Sequence, residues 1–268
     1  MQTALNAAIK AARAAGKVMR DNWYRPKRVK LFDTHDIKLE LDVRCQKLIE
    51  KILCKAFPEI PLLGEEGDSG NVNAPYRWVV DPIDGTVNYF FGLPHAAVSI
   101  ALQARNDKKL GLDGVSPHQH FETLLGVIFD PFTGELWTAT LGGKTKLNGR
   151  VVRCSKHSKV NDAIIAMGFS KSRENMEKSL PHLNRLSRQA KKVRIMGSAA
   201  LELAYVASGR LDAYIERTIN LWDIAAGGLM VECSGGEMHL IPMPDGRLRM
   251  CADNGKLRKK LKLGNLLK

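Results

Sequence analysis

The chain has 268 residues, 44% of them hydrophobic and 26% charged, with 41 Lys and Arg against 28 Asp and Glu and a formal net charge of +13. A chain of this length buries about 70–75% of its unfolded surface, so it needs neither metal nor disulfide to fold, and its composition is that of an ordinary soluble globular protein. Cys45, Cys54, Cys154, Cys233 and Cys251 are scattered without a Cys-x-x-Cys spacing, which argues for reduced thiols in a cytosol and against a zinc site.

Leu5, Ala8, Ile9, Ala12, Ala15, Val18 and Met19 recur at helical spacing, so residues 2–22 read as an amphipathic helix. The N-terminus is rich in Ala, Lys and Arg like a transit peptide, but its apolar positions continue into this helix, and it lacks the long apolar run of a secretory signal. Leu41, Cys45, Leu48, Ile49, Ile52 and Leu53 repeat the pattern over residues 41–56, and Pro58 ends it. Arg77–Val80, Ala97–Gln103, Leu124–Phe129 and Glu135–Thr140 read as strands, with residues 130–134 as the turn between the last two. Residues 105–122 form a long loop that includes His118 and His120; such a loop in a compact domain is functional or mobile. Asn148-Gly149 signals a hairpin turn. The second half alternates. Strands are expected at Ala163–Met167, Lys192–Ile195, Leu211–Ile215 and Glu237–Ile241. Helices are expected at 172–190, at Ser198–Ala207 behind a Ser cap, and at 223–233. The pattern is layered α/β, with no internal repeat and no linker that would divide residues 1–268. No apolar run approaches the eighteen residues of a membrane span.

The positive charge would steer anionic substrates, yet it is concentrated elsewhere. One basic run is Lys256-Leu257-Arg258-Lys259-Lys260-Leu261-Lys262; another holds Arg185, Arg188, Lys191, Lys192 and Arg194. These are solvated faces or a contact surface for nucleic acid or an anionic protein partner. No aromatic interleaving or nucleic-acid module accompanies them.

The chemistry is concentrated in Trp78-Val79-Val80-Asp81-Pro82-Ile83-Asp84-Gly85-Thr86-Val87-Asn88-Tyr89. An apolar strand runs into two carboxylates three residues apart and then into a Gly-Thr turn. Two acids at a strand end can bridge hard cations such as Mg2+. The N–H groups of Gly85 and Thr86 are placed to meet a phosphate oxygen if Thr86 opens a helix. Metal and phosphate in one turn point to phosphoryl transfer, although paired aspartates also cap turns.

The stretch Asp81–Tyr89 resembles the signature of the inositol monophosphatase family, a branch of the Mg2+-dependent, lithium-sensitive phosphatases. Gly64-Glu65-Glu66 before it, Gly197–Glu216 after it and Trp222-Asp223-Ile224-Ala225-Ala226-Gly227 near the end match in the family's order, so the similarity spans about residues 1–255. The resemblance implies a five-layer αβαβα sandwich in one unit, a homodimer, and a cytoplasmic phosphomonoesterase acting on inositol 1-phosphate or a similar polyol or sugar phosphate. It also implies two or three Mg2+ ions. Glu65, Asp81 and the Ile83 carbonyl would hold the first, and Asp81, Asp84 and Asp223 the second. Thr86 would pair with an upstream aspartate, here Asp42, to orient and deprotonate a metal-activated water that attacks phosphorus directly. Glu216 would hydrogen-bond a polyol hydroxyl, and Gly197, Ser198 and Ala199 would line the substrate pocket. Asp42 and Asp223 are also compatible with helix N-capping, Glu216 with a strand-end surface acid, and Glu66 with a solvated loop acid. Asp36 and Asp42 keep the family's spacing, but Lys38-Leu39 and Leu41 replace residues that are usually different, which bears on a third metal. Phe91 replaces a common histidine at the pocket edge. Rival readings are a 3′(2′),5′-bisphosphate nucleotidase, a fructose-1,6-bisphosphatase or an NADP phosphatase of the same superfamily, and a regulatory protein that contacts nucleic acid or transcription machinery through its basic surface.

Overall fold

The computed structural model describes residues 1–32, 37–106, 120–169 and 173–264. Helices α1 (Gln2–Asp21) and α2 (Glu40–Ala56) form where the periodicity predicts them, and the β1 (Val29–Phe32) and β2 (Ile37–Leu39) hairpin stands between them. Strands β3 (Leu62–Gly64), β4 (Tyr76–Asp84), β5 (Ala97–Arg105), β6 (Phe121–Phe129), β7 (Leu136–Thr140), β8 (Lys146–Leu147) and β9 (Arg150–Val151) build a seven-stranded sheet in sequence order. A short helix, α3 (Thr86–Phe90), leaves the end of β4. The second sheet has five strands in the order β11 (Lys192–Arg194), β10 (Ile164–Met167), β12 (Ala213–Ile219), β14 (Leu248–Asp253), β13 (Glu237–Pro242). Helices α4 (Arg173–Gln189), α5 (Ala199–Ala207) and α6 (Leu221–Cys233) complete the chain.

Side-chain alternation along each strand sorts these elements into layers. On β4, Trp78 and Val80 pack toward α1 and α2. Val79 packs on the opposite face, toward α5 and α6. On β12, Tyr214 joins that same central helix layer, while Ala213 and Ile215 face outward to Leu186 of α4 and to Leu257, Leu261 and Leu263. The order is α1α2, seven-stranded sheet, α5α6, five-stranded sheet, α4, the αβαβα sandwich. Alanines 4, 8, 11, 12 and 15 line the buried stripe of α1, and their small side chains let it lie close to its neighbours.

Several expectations change in detail. The β4 strand runs on through Asp84 rather than ending at Val80. The reason is that Pro82 and Ile83 form a bulge that the ladder tolerates: Asp81 pairs with Ser99 and Asp84 with Ala97. Strands β1, β2, β3 and β14 are too short or too weakly patterned to read from residues 29–39, 62–64 and 248–253. Their partners, not their own propensities, hold them extended. Asn148 (φ 48) and Gly149 (φ 81) both adopt the left-handed conformation that a tight hairpin turn requires. The loop expected over 105–122 is shorter at both ends, because Arg105 of β5 pairs with Phe121 of β6 and Ala104 with Glu122. Its base is closed by the N–H of Asn106 donating to the His120 carbonyl at 2.6 Å; residues 107–119, His118 among them, lie outside the described residues, as does Asp36.

Candidate active site

The site begins with the bulge in β4. In a regular strand, residues three apart point to opposite faces, so Asp81 and Asp84 would be separated by the sheet. From Asp81 to Asp84 is three residues on β4, while Ser99 to Ala97 is two on β5. The one extra residue turns Asp84 back to the face of Asp81, toward α5 and α6. The turn is held by the Ile83 N–H donating to the Asp81 carboxylate at 3.0 Å, and by the Thr86 hydroxyl donating to the Ile83 carbonyl at 2.9 Å. Gly85 has a φ of 90°, and a Cβ there would lie 2.9 Å from the His95 carbonyl oxygen, so only glycine fits.

Parallel pairing sets Gly64 of β3 against Val80 of β4, which brings Glu65 level with Asp81. The two carboxyl groups are hydrogen-bonded. From the other side, α6 presents Asp223 in its first turn, accepting the Asn220 N–H at 3.0 Å. Asp81, Asp84 and Asp223 offer carboxylate oxygens within 4.8 Å of one another. Burial, then the charges of Glu65, Asp84 and Asp223, push Asp81 well above the usual carboxylate range. Burial and the charges of Glu65 and Asp84 do the same to Asp223, against the Asn220 N–H.

Asp84 is held differently. The Ser198 hydroxyl and the N–H groups of Ala199 (3.2 Å) and Ala200 (2.8 Å) all donate to its carboxylate. Burial raises it to about 6 while these three donors pull the other way. The predicted Ser cap of α5 is therefore an indirect one. Ser198 stands at the N-cap, but its side chain makes no capping bond to its own helix. Asp84 takes the α5 N–H groups instead. Ser198 is only 1% exposed, so its hydroxyl meets the acid cluster rather than open solvent.

Asp42 and Thr86 are not hydrogen-bonded to each other. One Asp42 carboxylate oxygen accepts the Leu39 N–H at 2.7 Å. The other is buried without a partner. Burial, and lesser contributions from Glu65 and Glu66, raise Asp42 to about 8, with the Leu39 N–H acting in the opposite sense. Asp42 thus belongs to the same electrostatic cluster, at the third position of α2 rather than at its N-cap. Glu66 is not a solvated loop acid: it receives Lys38 Nζ at 3.4 Å, so the unusual lysine contacts the acid next to the metal-ligand candidate.

Glu216 is not a strand-end surface acid either. It sits within β12, half-buried, and accepts the Tyr214 hydroxyl. A Cβ on Gly168 would come within 2.1 Å of the Glu216 carboxylate. Gly168 therefore leaves the space that Glu216 occupies. Gly197 has a φ of 79°, and its carbonyl, with those of His95 and Met196, accepts from Asn88 Nδ2.

Some of this support is not apparent from motif spacing. Gln46 accepts the Glu66 N–H at 2.9 Å and donates to the Gly67 carbonyl at 2.7 Å. It clamps the acidic loop, and the space for it exists because residue 64 is glycine. The available signal was a polar residue beside the apolar stripe of α2. Asn88 and Gly168 likewise act through contacts between distant segments, whereas Tyr214 reaches Glu216 two residues along the same face of β12.

The donors gathered here, the carboxylates of Glu65, Asp81, Asp84 and Asp223, are all oxygen. Such a set suits hard divalent cations, and the acids, raised by burial and, for Asp81 and Asp223, by their neighbours' charge, are what bound cations would hold ionised.

The inositol monophosphatase family pattern matches residues 1–248. The chain is also 39% identical over 236 residues to the Nus factor SuhB of Xylella fastidiosa, covering 87% of this chain and 80% of that one. The chain belongs to the inositol monophosphatase family. It is 36% identical to the inositol-1-monophosphatase of Rhizobium meliloti, covering 87% of this chain and 83% of that protein. Among solved structures, the extragenic suppressor protein suhB of Bartonella henselae superposes with a TM-score of 0.85 at 31% identity, covering 98% and 97% of the two chains. The inositol monophosphatase of Anabaena superposes at 0.80 and 31% identity, covering 97% and 94%. As a member of this family the chain is a phosphomonoesterase, metal-dependent, acting on a phosphorylated small molecule. No helix among the described residues is long and apolar enough to cross a membrane.

Proposed function

We propose that the chain, as one catalytic unit, hydrolyses inositol 1-phosphate or a similar small polyol or sugar phosphate with Mg2+ as its cofactor. The observation that carries this reading is the convergence of Glu65, Asp81, Asp84 and Asp223 beside the Gly85-Thr86 turn, with Glu216 on the facing sheet. Glu65, Asp81 and the Ile83 carbonyl would hold one ion, and Asp81, Asp84 and Asp223 another. Bound there, such ions neutralise phosphate charge and lower the pKa of water at neutral pH.

The protein's own groups supply the remainder. The N–H groups of Gly85 and Thr86 bind a phosphate oxygen and orient the ester. The Thr86 hydroxyl, released from Ile83, aligns the attacking water, and Asp42 has an unpartnered oxygen with which to take a proton through it. Glu216, aimed by Tyr214, accepts a hydroxyl of the polyol, while Gly197 and Ala199 border the pocket and Ser198 holds Asp84. The test is phosphate release from inositol 1-phosphate, fructose 1,6-bisphosphate, 3′-phosphoadenosine 5′-phosphate and NADP, with and without Mg2+. Turnover should need Mg2+, favour the polyol phosphate and fall about 100-fold or more in Asp84→Asn, as expected when a ligand of a cation that stabilises transition-state charge is lost. Preference for a nucleotide or bisphosphate would transfer the assignment to that branch.

A second reading has its own support. Arg185 on α4 donates to the Leu261 carbonyl at 2.6 Å, so the two basic runs, far apart in sequence, meet at this point. A relative as similar as the Xylella fastidiosa protein is named a Nus factor. We infer that this basic surface binds nucleic acid or transcription machinery in addition to catalysis. RNA affinity should fall steeply with salt, and less steeply once Lys256, Lys259 and Lys260 are changed to Gln.

A further inference from the structure

The five-stranded sheet has two faces, and the acid cluster adjoins only one of them. On the other, β13 and β14 pair antiparallel with Glu237 directly opposite Asp253 and His239 opposite Cys251. Alternation places Glu237, His239, Cys251 and Asp253 on the same outward face, where Cys251 packs against Leu257 and Leu261. Like charges directly across a ladder destabilise it, so a carboxylate pair at this position needs a reason.

Edge protection is the simplest reason, since β13 is the last strand of its sheet and edge strands often carry charge. That accounts for Glu237, which is exposed. It does not account for Asp253, which lies on the inner strand and is 0% exposed. One oxygen of Asp253 accepts the N–H groups of Gly255 (2.8 Å) and Leu257 (3.3 Å) and so caps the turn that follows β14. The other, Oδ2, is buried with no partner at all. An orphaned buried carboxylate oxygen costs free energy comparable to a lost hydrogen bond or more.

The ligand atoms of Glu237, His239 and Asp253 all lie within 4.8 Å of one another. Glu237 Oε2 and His239 Nε2 are 3.3 Å apart. Two ligands on a tetrahedral ion with bonds of about 2.0–2.1 Å are separated by roughly 3.3–3.4 Å, so this pair already has the spacing of one edge of such a site.

We propose that Glu237, His239 and Asp253 form a binding site for a transition-metal ion of the Zn2+ class, on the face of the five-stranded sheet turned away from the phosphatase centre. An imidazole with two carboxylates selects such ions over Mg2+, which prefers an octahedral shell of oxygen. The scatter of the cysteines argues against a zinc site held by cysteines; this one is held by side chains that strand pairing brings together. Cys251, buried against Leu257 and Leu261, does not join the three clustered ligand atoms, which leaves water as the fourth ligand. The ion would fasten the edge strand to the inner strand that leads into the C-terminal segment.

Equilibrium dialysis against Zn2+, with Mg2+ in large excess to hold the all-oxygen cluster, tests the site on the full chain. Wild type should retain one equivalent more Zn2+ than either His239→Ala or Glu237→Gln, and the same extra equivalent should persist in Asp84→Asn. Co2+ in place of Zn2+ should give visible absorption that His239→Ala lacks. Zn2+ should raise the melting temperature of wild type and leave that of His239→Ala unmoved. Without Zn2+, Mg2+-dependent phosphate release should be the same in wild type and His239→Ala. Equal Zn2+ counts in wild type, His239→Ala and Glu237→Gln would overturn the proposal, as would an extra equivalent lost in Asp84→Asn but kept in His239→Ala.

Discussion

Asp84 shows how one side chain serves both the fold and the chemistry. Its carboxylate stands where the N-terminus of α5 needs an acceptor, and the helix N–H groups with the Ser198 hydroxyl hold it ready beside Asp81 and Asp223. Removing the hydroxyl leaves a buried acid with one donor fewer. Ser198→Ala should cost about 1.5–3 kcal/mol, the range for a hydrogen bond to a charged group, read as a lower denaturation midpoint at neutral pH. Because the lost donor favours the ionised form, Asp84 should also titrate higher, and half-saturation with Mg2+ should require more metal. If the mutant kept wild-type stability and Mg2+ dependence, the hydroxyl would not be holding Asp84.

At the scale of elements, the site depends on how closely α6 can lie on the seven-stranded sheet. Gly126 of β6 faces the backbone of Ala226, and a Cβ there would be 2.8 Å from the Ala226 carbonyl oxygen and 2.9 Å from its Cα. Backbone cannot swing aside as a side chain does, so Gly126→Ala must push the helix outward. A destabilisation of about 1–3 kcal/mol is expected, measurable by urea denaturation. Activity should fall further than stability alone explains, because α6 carries Asp223 into the cluster, and an activity loss with no stability change would contradict this account. The β4 bulge acts at the same scale: a single extra residue decides whether Asp81 and Asp84 share a face.

For the whole molecule, the acid cluster couples stability to pH and to metal. The carboxyls of Asp84 (about 6) and Asp42 (about 8) are raised from an ordinary 3.8. Raised acids bind protons in the folded state that the unfolded chain has already released. Their contribution to stability is therefore fully present below about pH 4 and lost as pH rises through about 6 and then about 8. Metal-free protein should show a melting temperature that declines across that window. Added Mg2+ should raise the melting temperature, and the increment should grow toward the alkaline end. A metal-free melting temperature that rises between about pH 5 and about pH 8 would mean that these raised acids do not govern the pH dependence of stability. The +13 charge also becomes meaningful only at this scale, once packing of the C-terminal segment on α4 joins two separate basic runs.

The long amphipathic helices, the α/β alternation, the Asn148-Gly149 turn and the Asp81–Thr86 phrase were all legible along the chain, because each is a local pattern of period, turn chemistry or motif. So was the order in which Glu65, Asp42 and Asp223 join that phrase. What the chain could not express locally is anything set by register. The bulge that puts two aspartates on one face depends on counting residues against β5. The capping of α5 by Asp84 spans 114 residues or more, and the space for Glu216 is left by a glycine on a neighbouring segment. The pairing of β13 with β14 likewise placed a carboxylate with one orphaned oxygen beside a histidine. Residue type and local spacing determined the chemistry available to this protein. Strand pairing and helix packing, which act between residues distant in sequence, decided which of those residues meet.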